Sequence, residues 1–253
     1  MGNDQRKQEI LELLKKNGLV KVNELSEKFG ISEVTVRNDL TDMERKGLLS
    51  RVHGGAISSY KPYYSMNMTQ RLETNQSEKV DIATKVASMI APNDTIMLNS
   101  GTTTLLTFRQ IPAEYNLNIV TNSIAIALEA SSNPNFNVVL IGGALNTKYQ
   151  FSYGADAVSQ LRNYHADKFI LSVDGIDIAN GFTTYYDTEA EVDRVMIEQA
   201  EHCIVVADYS KFNHSAFVKI SDLSVADCIV TNQNIEEDIL LAFRELGTEI
   251  YVK

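Results

Sequence analysis

The chain has 253 residues and a mass of 28.2 kDa, which suits one large domain or two unequal ones. Its 44% hydrophobic and 22% charged residues are those of a water-soluble globular protein. No apolar run is long enough to span a bilayer, and the charged start from Asp4 to Lys7 lacks the apolar core of a signal peptide.

The formal net charge of −10 is unevenly spread, with ten Lys/Arg against nine Asp/Glu in residues 1–57 and 13 against 24 in the rest. A charge-balanced head on an acidic body fits a DNA-reading module joined to a part that does not touch DNA. Cys203 and Cys228 lie in apolar runs without metal-ligand spacing. They are expected to be buried free thiols in a reducing compartment, so a cytoplasmic protein without membrane contact is expected.

In chain order, Ile10, Leu11, Leu13 and Leu14 recur at helical spacing, and Asn17-Gly18 supplies a stop. A second short helix is expected from about Asn23, with Leu25 and Phe29 on one face and Gly30 as its left-handed C-cap. Ser32 then caps a third helix, in which Val36, Leu40 and Met43 face the first two. Glu33, Thr35, Arg37 and Asn38 remain on the outer side. A helix, a short turn and a helix that presents such groups at its N-terminal end is the helix-turn-helix arrangement. Arg pairs with guanine, Asn with adenine, and Thr reaches a phosphate or a thymine methyl. The following LLSRVHGGAIS alternates apolar and polar residues around Gly-Gly, as a β-hairpin wing does, with Arg51 and His53 placed for the backbone or minor groove. A purely structural three-helix bundle is the bland alternative.

The stretch VNELSEKFGISEVTVRNDLTDMERKGLLSRVHGGA resembles the N-terminal signature of the DeoR family of bacterial transcriptional regulators. The resemblance rests on Ser32-x-x-Thr35-Val36-Arg37, the Asp-Leu after it, the Gly-Leu turn and Arg51-x-His53-Gly-Gly-Ala. It implies DNA contacts by Ser32, Thr35, Arg37, Asn38, Arg51 and His53. Asn38 stands where the family has a second arginine.

Residues 58–77 are polar and aromatic without a sustained period and are expected to connect a head, residues 1–57, to a body, residues 78–253. In the body, the apolar runs TIML, NIVTN, FNVVLIGG, KFILSVDGID, HCIVVAD, DCIVTN and EIYV alternate with helical patterns. This is the pattern of βαβ units and a largely parallel sheet, an α/β fold. Ligands gather at the carboxyl ends of such strands, where NSGTTT, TNS, IGG and ADYSK fall. Ser and Thr hydroxyls around Gly101 at a helix N-terminus favour an anion such as phosphate, and Lys211 offers a point charge. Plain helix capping is the competing reading of that cluster. Asp187, Glu189, Glu191 and Asp193 open a helix and are expected to complement its dipole. His165 and His202 are expected at the surface or at caps, while His214 lies near Lys211. No metal spacing and no cofactor motif is visible.

From Lys79 onward the order NSGTTT, TNS, IGG, VDGID, ADYSKF is similar to the effector domain of the same regulators. That resemblance implies a fold similar to ribose-5-phosphate isomerase and a phosphorylated sugar or sugar alcohol as effector. It also implies an effector site built from Asn99, Ser100, Gly101, Thr102, Thr103, Thr104, Asn122, Gly142, Gly143, Asp174, Asp208 and Lys211. Asn99 replaces the family's Asp, and Asn213 replaces a Gly. The expectation is a non-enzymatic regulator, a repressor of a sugar-use operon, bound to double-stranded operator DNA as a dimer or tetramer. Two heads would read a two-fold site about 34 Å apart. The alternative is a sugar-phosphate isomerase or deaminase with an accessory head, with Asp174 and Asp208 available for proton transfer.

Overall fold

The computed structural model describes residues 3–17, 19–45, 48–52, 54–58, 63, 66–233, 235 and 237–253. They form two compact units, residues 1–66 and residues 67–253.

In the smaller unit, helices α1 (Asn3–Asn17), α2 (Val22–Phe29) and α3 (Glu33–Arg45) pack on a three-stranded antiparallel sheet. Its strands are β1 (Leu19–Lys21), β2 (Leu49–Val52) and β3 (Gly55–Ser58), in the order β1-β3-β2. Ile10, Leu14, Leu25, Val36, Leu40 and Met43 are buried together with Val20, Leu49 and Ala56. The helical periodicity therefore becomes a core stripe, and Leu11, Leu13 and Phe29 lie at its margin. Gly30 takes φ 63° at the end of α2, and the Ile31 amide donates to the Ser26 carbonyl there, as a left-handed cap requires. A contact that the periodicity did not predict ties α1 to α3: Arg6 Nε donates to buried Asp39 at 2.7 Å.

The larger unit begins earlier than the expected connection ends. Residues 67–77, within that stretch, hold the short helix α4 (Met68–Glu73) and the start of α5 (Gln76–Ala87). Seven strands then form one parallel sheet. They are β4 (Thr95–Leu98), β5 (Leu117–Thr121), β6 (Phe136–Leu140), β9 (Ala166–Ser172), β12 (Ala200–Val206), β14 (Cys228–Thr231) and β15 (Glu249–Val252). Helices α6 (Thr102–Gln110), α7 (Ile124–Ala130), α8 (Ala155–Leu161), α9 (Asp187–Glu198) and α10 (Glu237–Glu245) alternate with them. The strand order is β15-β14-β12-β9-β4-β5-β6. From β4 the chain builds outward through β5 and β6, then returns to β9 on the other side of β4 and builds the opposite way. The switch point lies between β4 and β9, where an α/β sheet opens its ligand crevice. Separate apolar clusters cover the sheet, one including Phe169, Leu171 and Val205, the other Ile96, Ile119, Ile170 and Val206.

Two parts depart from the sequence expectation. The run KFILSVDGID is not one strand: β9 ends at Ser172, and β10 (Gly175–Asp177) joins β11 (Gly181–Thr184) and β13 (Val218–Ser221) in a small antiparallel sheet. The polar stretch after Gly143 holds a hairpin, β7 (Ala144–Asn146) with β8 (Phe151–Tyr153). Strands of three or four residues are too short to show a periodicity.

Candidate functional site

In the head, Ser32 caps α3, its hydroxyl accepting from the Thr35 amide at 3.1 Å. Arg37 and Asn38 are exposed on the outer face, with Val34 beside them 63% exposed. The apolar Val34 adds a surface suited to a thymine methyl. The Arg37 guanidinium is held by Glu33 at 2.5 Å, one turn back. Arg51 on β2 donates to the Thr41 hydroxyl at 2.8 Å, and its amide donates to Glu44. The wing strand is thereby fastened to the exposed side of α3. His53 lies outside the described residues.

Substituting Arg37→Ala removes one exposed ion pair, which changes folding stability by no more than about 0.5 kcal/mol. Operator affinity is expected to fall by about 1–3 kcal/mol if the guanidinium reads a base. Anisotropy titrations at one salt concentration, beside thermal melts of both proteins, check the two halves of this expectation.

In the larger unit, Asn99 ends β4 at the switch point. Its amide donates to the Ser172 carbonyl at 2.9 Å and to Asp193 Oδ1 at 3.2 Å, while its own oxygen accepts from the Ser172 amide at 3.0 Å. Asn99 thus joins the ends of β4 and β9, using donor and acceptor together. A carboxylate at that position has no N–H to give, which accounts for the asparagine. At Gly101 the backbone passes so close to Ser172 that a Cβ would sit 2.2 Å from that side chain. Gly101 also leaves α6 without a side-chain cap at its N-terminus. Of the hydroxyls there, Thr104 bonds the carbonyls of Asn99 and Gly101, whereas Ser100 Oγ donates to Glu189 at 3.2 Å.

A polar chain continues from Glu189. The Thr184 hydroxyl lies 2.6 Å from Glu189 Oε2 and 3.2 Å from Asp174 Oδ2, and the Tyr185 amide donates to the same Asp174 oxygen. Asp174 Oδ1 accepts from Arg71 Nη1 at 3.3 Å, and the Arg71 guanidinium lies 4.3 Å from the centre of the Tyr149 ring. A second group is centred on Asp208, which accepts from Asn75 Nδ2 at 3.1 Å and from Ser210. Burial alone would raise the Asp208 carboxyl, but Lys211, Lys79 and the Ser210 hydrogen bonds hold it below its ordinary value. Lys79 is 1% exposed, and its ammonium donates to the carbonyls of Arg71 and Thr74 at 2.5 and 2.6 Å.

The structure therefore brings together Asn99, Ser100, Gly101 and Asp174, with Asp208 and Lys211 forming a neighbouring pair. Thr102, Thr103 and Thr104 are buried in the first turn of α6. The Asn122 amide donates to the Ser152 carbonyl, while its oxygen is buried without a hydrogen-bond partner. The Gly142 amide donates to Gln160 Oε1 at 3.1 Å and Gly143 lies against the Tyr153 carbonyl, so their contacts are to α8 and β8 rather than to the carboxylates. His214 meets Tyr185 at 3.3 Å.

Residues that sequence reasoning did not place here are Arg71, Asn75, Lys79, Tyr149, Thr184, Glu189 and Asp193. Glu189 and Asp193 were expected only to complement a helix dipole. Instead, one helical turn apart on α9, Glu189 bonds Ser100 and Thr184 while Asp193 accepts from Asn99 at the switch point. Burial first, then the Asp174 charge, pushes Glu189 up to about 7, against Thr184, Arg71 and Ser100. Burial and the Glu189 charge also raise Asp193, whose Oδ2 is buried without a hydrogen-bond partner. Among the described residues, no group of three or more His, Cys, Asp or Glu is placed to hold a metal ion.

Because its folded-state carboxyl is raised, Glu189 binds its proton more tightly in the folded chain than in the unfolded one. Its contribution to stability therefore falls as pH rises from about 4.5 to about 7. The Glu189→Gln variant lacks that titration. Its urea midpoint is expected to gain on wild type across this interval, and parallel curves for the two proteins would contradict the assignment.

Chemically, the crevice combines hydroxyl and carboxylate groups, suited to a polyol, with cations and an uncapped helix N-terminus, suited to an anion. Comparison with known proteins identifies the family of the chain. The DeoR-like helix-turn-helix domain matches residues 6–61, and the DeoR C terminal sensor domain matches residues 74–233. A candidate aga operon transcriptional repressor of Escherichia coli O157:H7 is 35% identical, over 98% of this chain and 93% of that protein. The glycerol-3-phosphate regulon repressor of Escherichia coli (strain K12) is 32% identical, over 92% of each. The HTH-type transcriptional repressor GlcR of Bacillus subtilis (strain 168) is 30% identical, over 92% of this chain and 90% of that protein. Among solved structures, ribose 5-phosphate isomerase A of Methanocaldococcus jannaschii gives a TM-score of 0.41 at 15% identity over 55% of each chain, a likeness that carries no argument about activity. These relatives are regulators rather than enzymes, and the chain belongs to the DeoR family of helix-turn-helix transcriptional regulators.

Proposed function

We propose that this protein represses an operon for the use of a sugar or sugar alcohol, and that a phosphorylated sugar bound at the switch-point crevice relieves repression. The carrying observation is the crevice itself: Ser100, Asp174, Thr184 and Glu189 form a hydrogen-bonded chain beside the N-terminus of α6. The names of the relatives, repressors of aga and glycerol-3-phosphate genes, support the same substrate class.

In this reading, the phosphate sits at residues 100–104 with Lys211, and the hydroxyls bond Asp174, Asp208 and Glu189. Asn122, Gly142 and Gly143 border the crevice, and Asn99 supports it from beneath. Ser32, Thr35, Arg37, Asn38, Arg51 and His53 contact operator DNA. Residues 1–57 serve as the head and 78–253 as the effector-binding and self-associating body of a cytoplasmic homo-oligomer, since a two-fold operator needs paired heads. Among the described residues no helix is long and apolar enough to cross a membrane.

Transcript levels test the proposal in a strain deleted for this gene. Expression of a neighbouring sugar-use operon is expected to rise without the sugar, and restoration of the gene is expected to lower it. Unchanged transcripts across all neighbouring operons would overturn the repressor assignment.

A further inference from the structure

The first ordered element of the larger unit is tied to the crevice by unusual means. Helix α4 has six residues and buries only Met68, and a helix that short does not hold itself together in water. A capping box between Asn67 and Gln70 closes its start, both bonds 3.0 Å long. Its attachment to the rest of the unit is largely polar. Arg71 reaches Asp174 and stacks on Tyr149, Asn75 in the following turn reaches Asp208, and Lys79 grips the carbonyls of Arg71 and Thr74. Arg71 and Asp174 are both largely shielded, with side-chain exposures of 11% and 9%. Along the chain, this helix opens the larger unit.

Two of these anchors end on carboxylates that the proposed reading gives to the effector. A phosphorylated sugar at the strand ends brings a dianion that a guanidinium binds in a bidentate fashion, and hydroxyls that donate to Asp174. We propose that Arg71 couples the crevice to the head: the effector's phosphate and Asp174 compete for its guanidinium, and the exchange unfastens helix α4. The inference rests on the crevice being the effector site. An effector shifts this equilibrium only by binding the unfastened arrangement more tightly. It does so here because unfastening frees both the cation for its phosphate and the carboxylate for its hydroxyls. The aromatic platform of Tyr149 keeps the guanidinium beside the crevice while it changes partner.

The test uses the full chain. Hydrogen exchange of amides 69–75 and anisotropy with DNA from upstream of the gene are measured for wild type, Asp174→Asn and Arg71→Gln. Asp174→Asn keeps the shape of the site and removes the competing charge. Without any ligand, its amides 69–75 are expected to exchange about ten- to a hundredfold faster, and its DNA affinity to fall. Protection of β12 is expected to be unchanged, which separates this result from unfolding. Arg71→Gln is expected to behave likewise and to lose any further response to inorganic phosphate, which speeds exchange of the same amides in wild type.

Unchanged exchange at 69–75 in both variants would overturn the coupling. It would also be overturned if a phosphorylated sugar raised the melting temperature of wild type while leaving those amides unaltered, a result that keeps the effector site. Conversely, the expected behaviour of Asp174→Asn with no melting shift from any phosphorylated sugar keeps the Arg71–Asp174 fastening of α4 and overturns phosphate as the group that opens it.

Discussion

Replacing Lys79 by methionine is expected to lower the stability of the larger unit by about 3–5 kcal/mol, the range for stripping one partner from a buried charged group. Lys79 is 1% exposed and donates to two backbone carbonyls. It is also one of the two cations that hold Asp208 ionised. Methionine has the length of the stem but none of the donors. It leaves the Arg71 and Thr74 carbonyls without this partner and Asp208 with Lys211 and the Ser210 hydrogen bonds. Urea unfolding followed by circular dichroism measures the loss, and a cost below about 1 kcal/mol would show that the ammonium is not a structural clamp.

The second large effect is expected at Asn99→Asp, with a cost of about 2–4 kcal/mol from lost donors and an added buried charge. The amide of Asn99 bonds the Ser172 carbonyl and Asp193 Oδ1. An aspartate there removes both donations and sets another carboxyl beside Asp193, which burial and Glu189 already raise. The folded state then takes up protons to relieve the crowding, so the penalty is expected to be larger at pH 8 than at pH 5.5. Urea midpoints at the two pH values decide this. An equal cost at both would mean that charge is not the cause.

The sequence carried the periodic part of this structure and much of the crevice. Val36, Leu40 and Met43 repeat with the helical period and are buried. The parallel strands announce themselves as continuous apolar runs because both of their faces are covered. Asn99 and Gly101 could be placed because strand ends are where such sheets collect ligands, whereas Asp174 came only from the resemblance of the VDGID stretch to the effector domain of the family. Arg71 could not, since its partner lies 103 positions away and nothing local distinguishes it from any polar residue.

Two misses did leave a signal. Lys79 shares the helical stripe of Ile82, Ala83 and Val86, which are all fully buried, and Asp193 lies between buried Ala190 and Met196 on α9. A charge in a buried stripe requires a partner from elsewhere in the fold. That rule, applied to residues 76–87 and 187–198, singles out both positions without a structure. The small sheet of β10, β11 and β13 left no comparable trace.

The most direct measurement is a fluorescence-anisotropy titration of the full chain on DNA from upstream of its own gene and the adjoining operon. Salt is held at one concentration, because phosphate contacts make affinity steeply salt-dependent. The titration is repeated with a panel of phosphorylated sugars and sugar alcohols, each beside its unphosphorylated counterpart. Saturable binding that one phosphorylated compound relieves, and its unphosphorylated counterpart does not, is the predicted result. Binding to none of this DNA, or binding that no phosphorylated compound alters, would contradict the account.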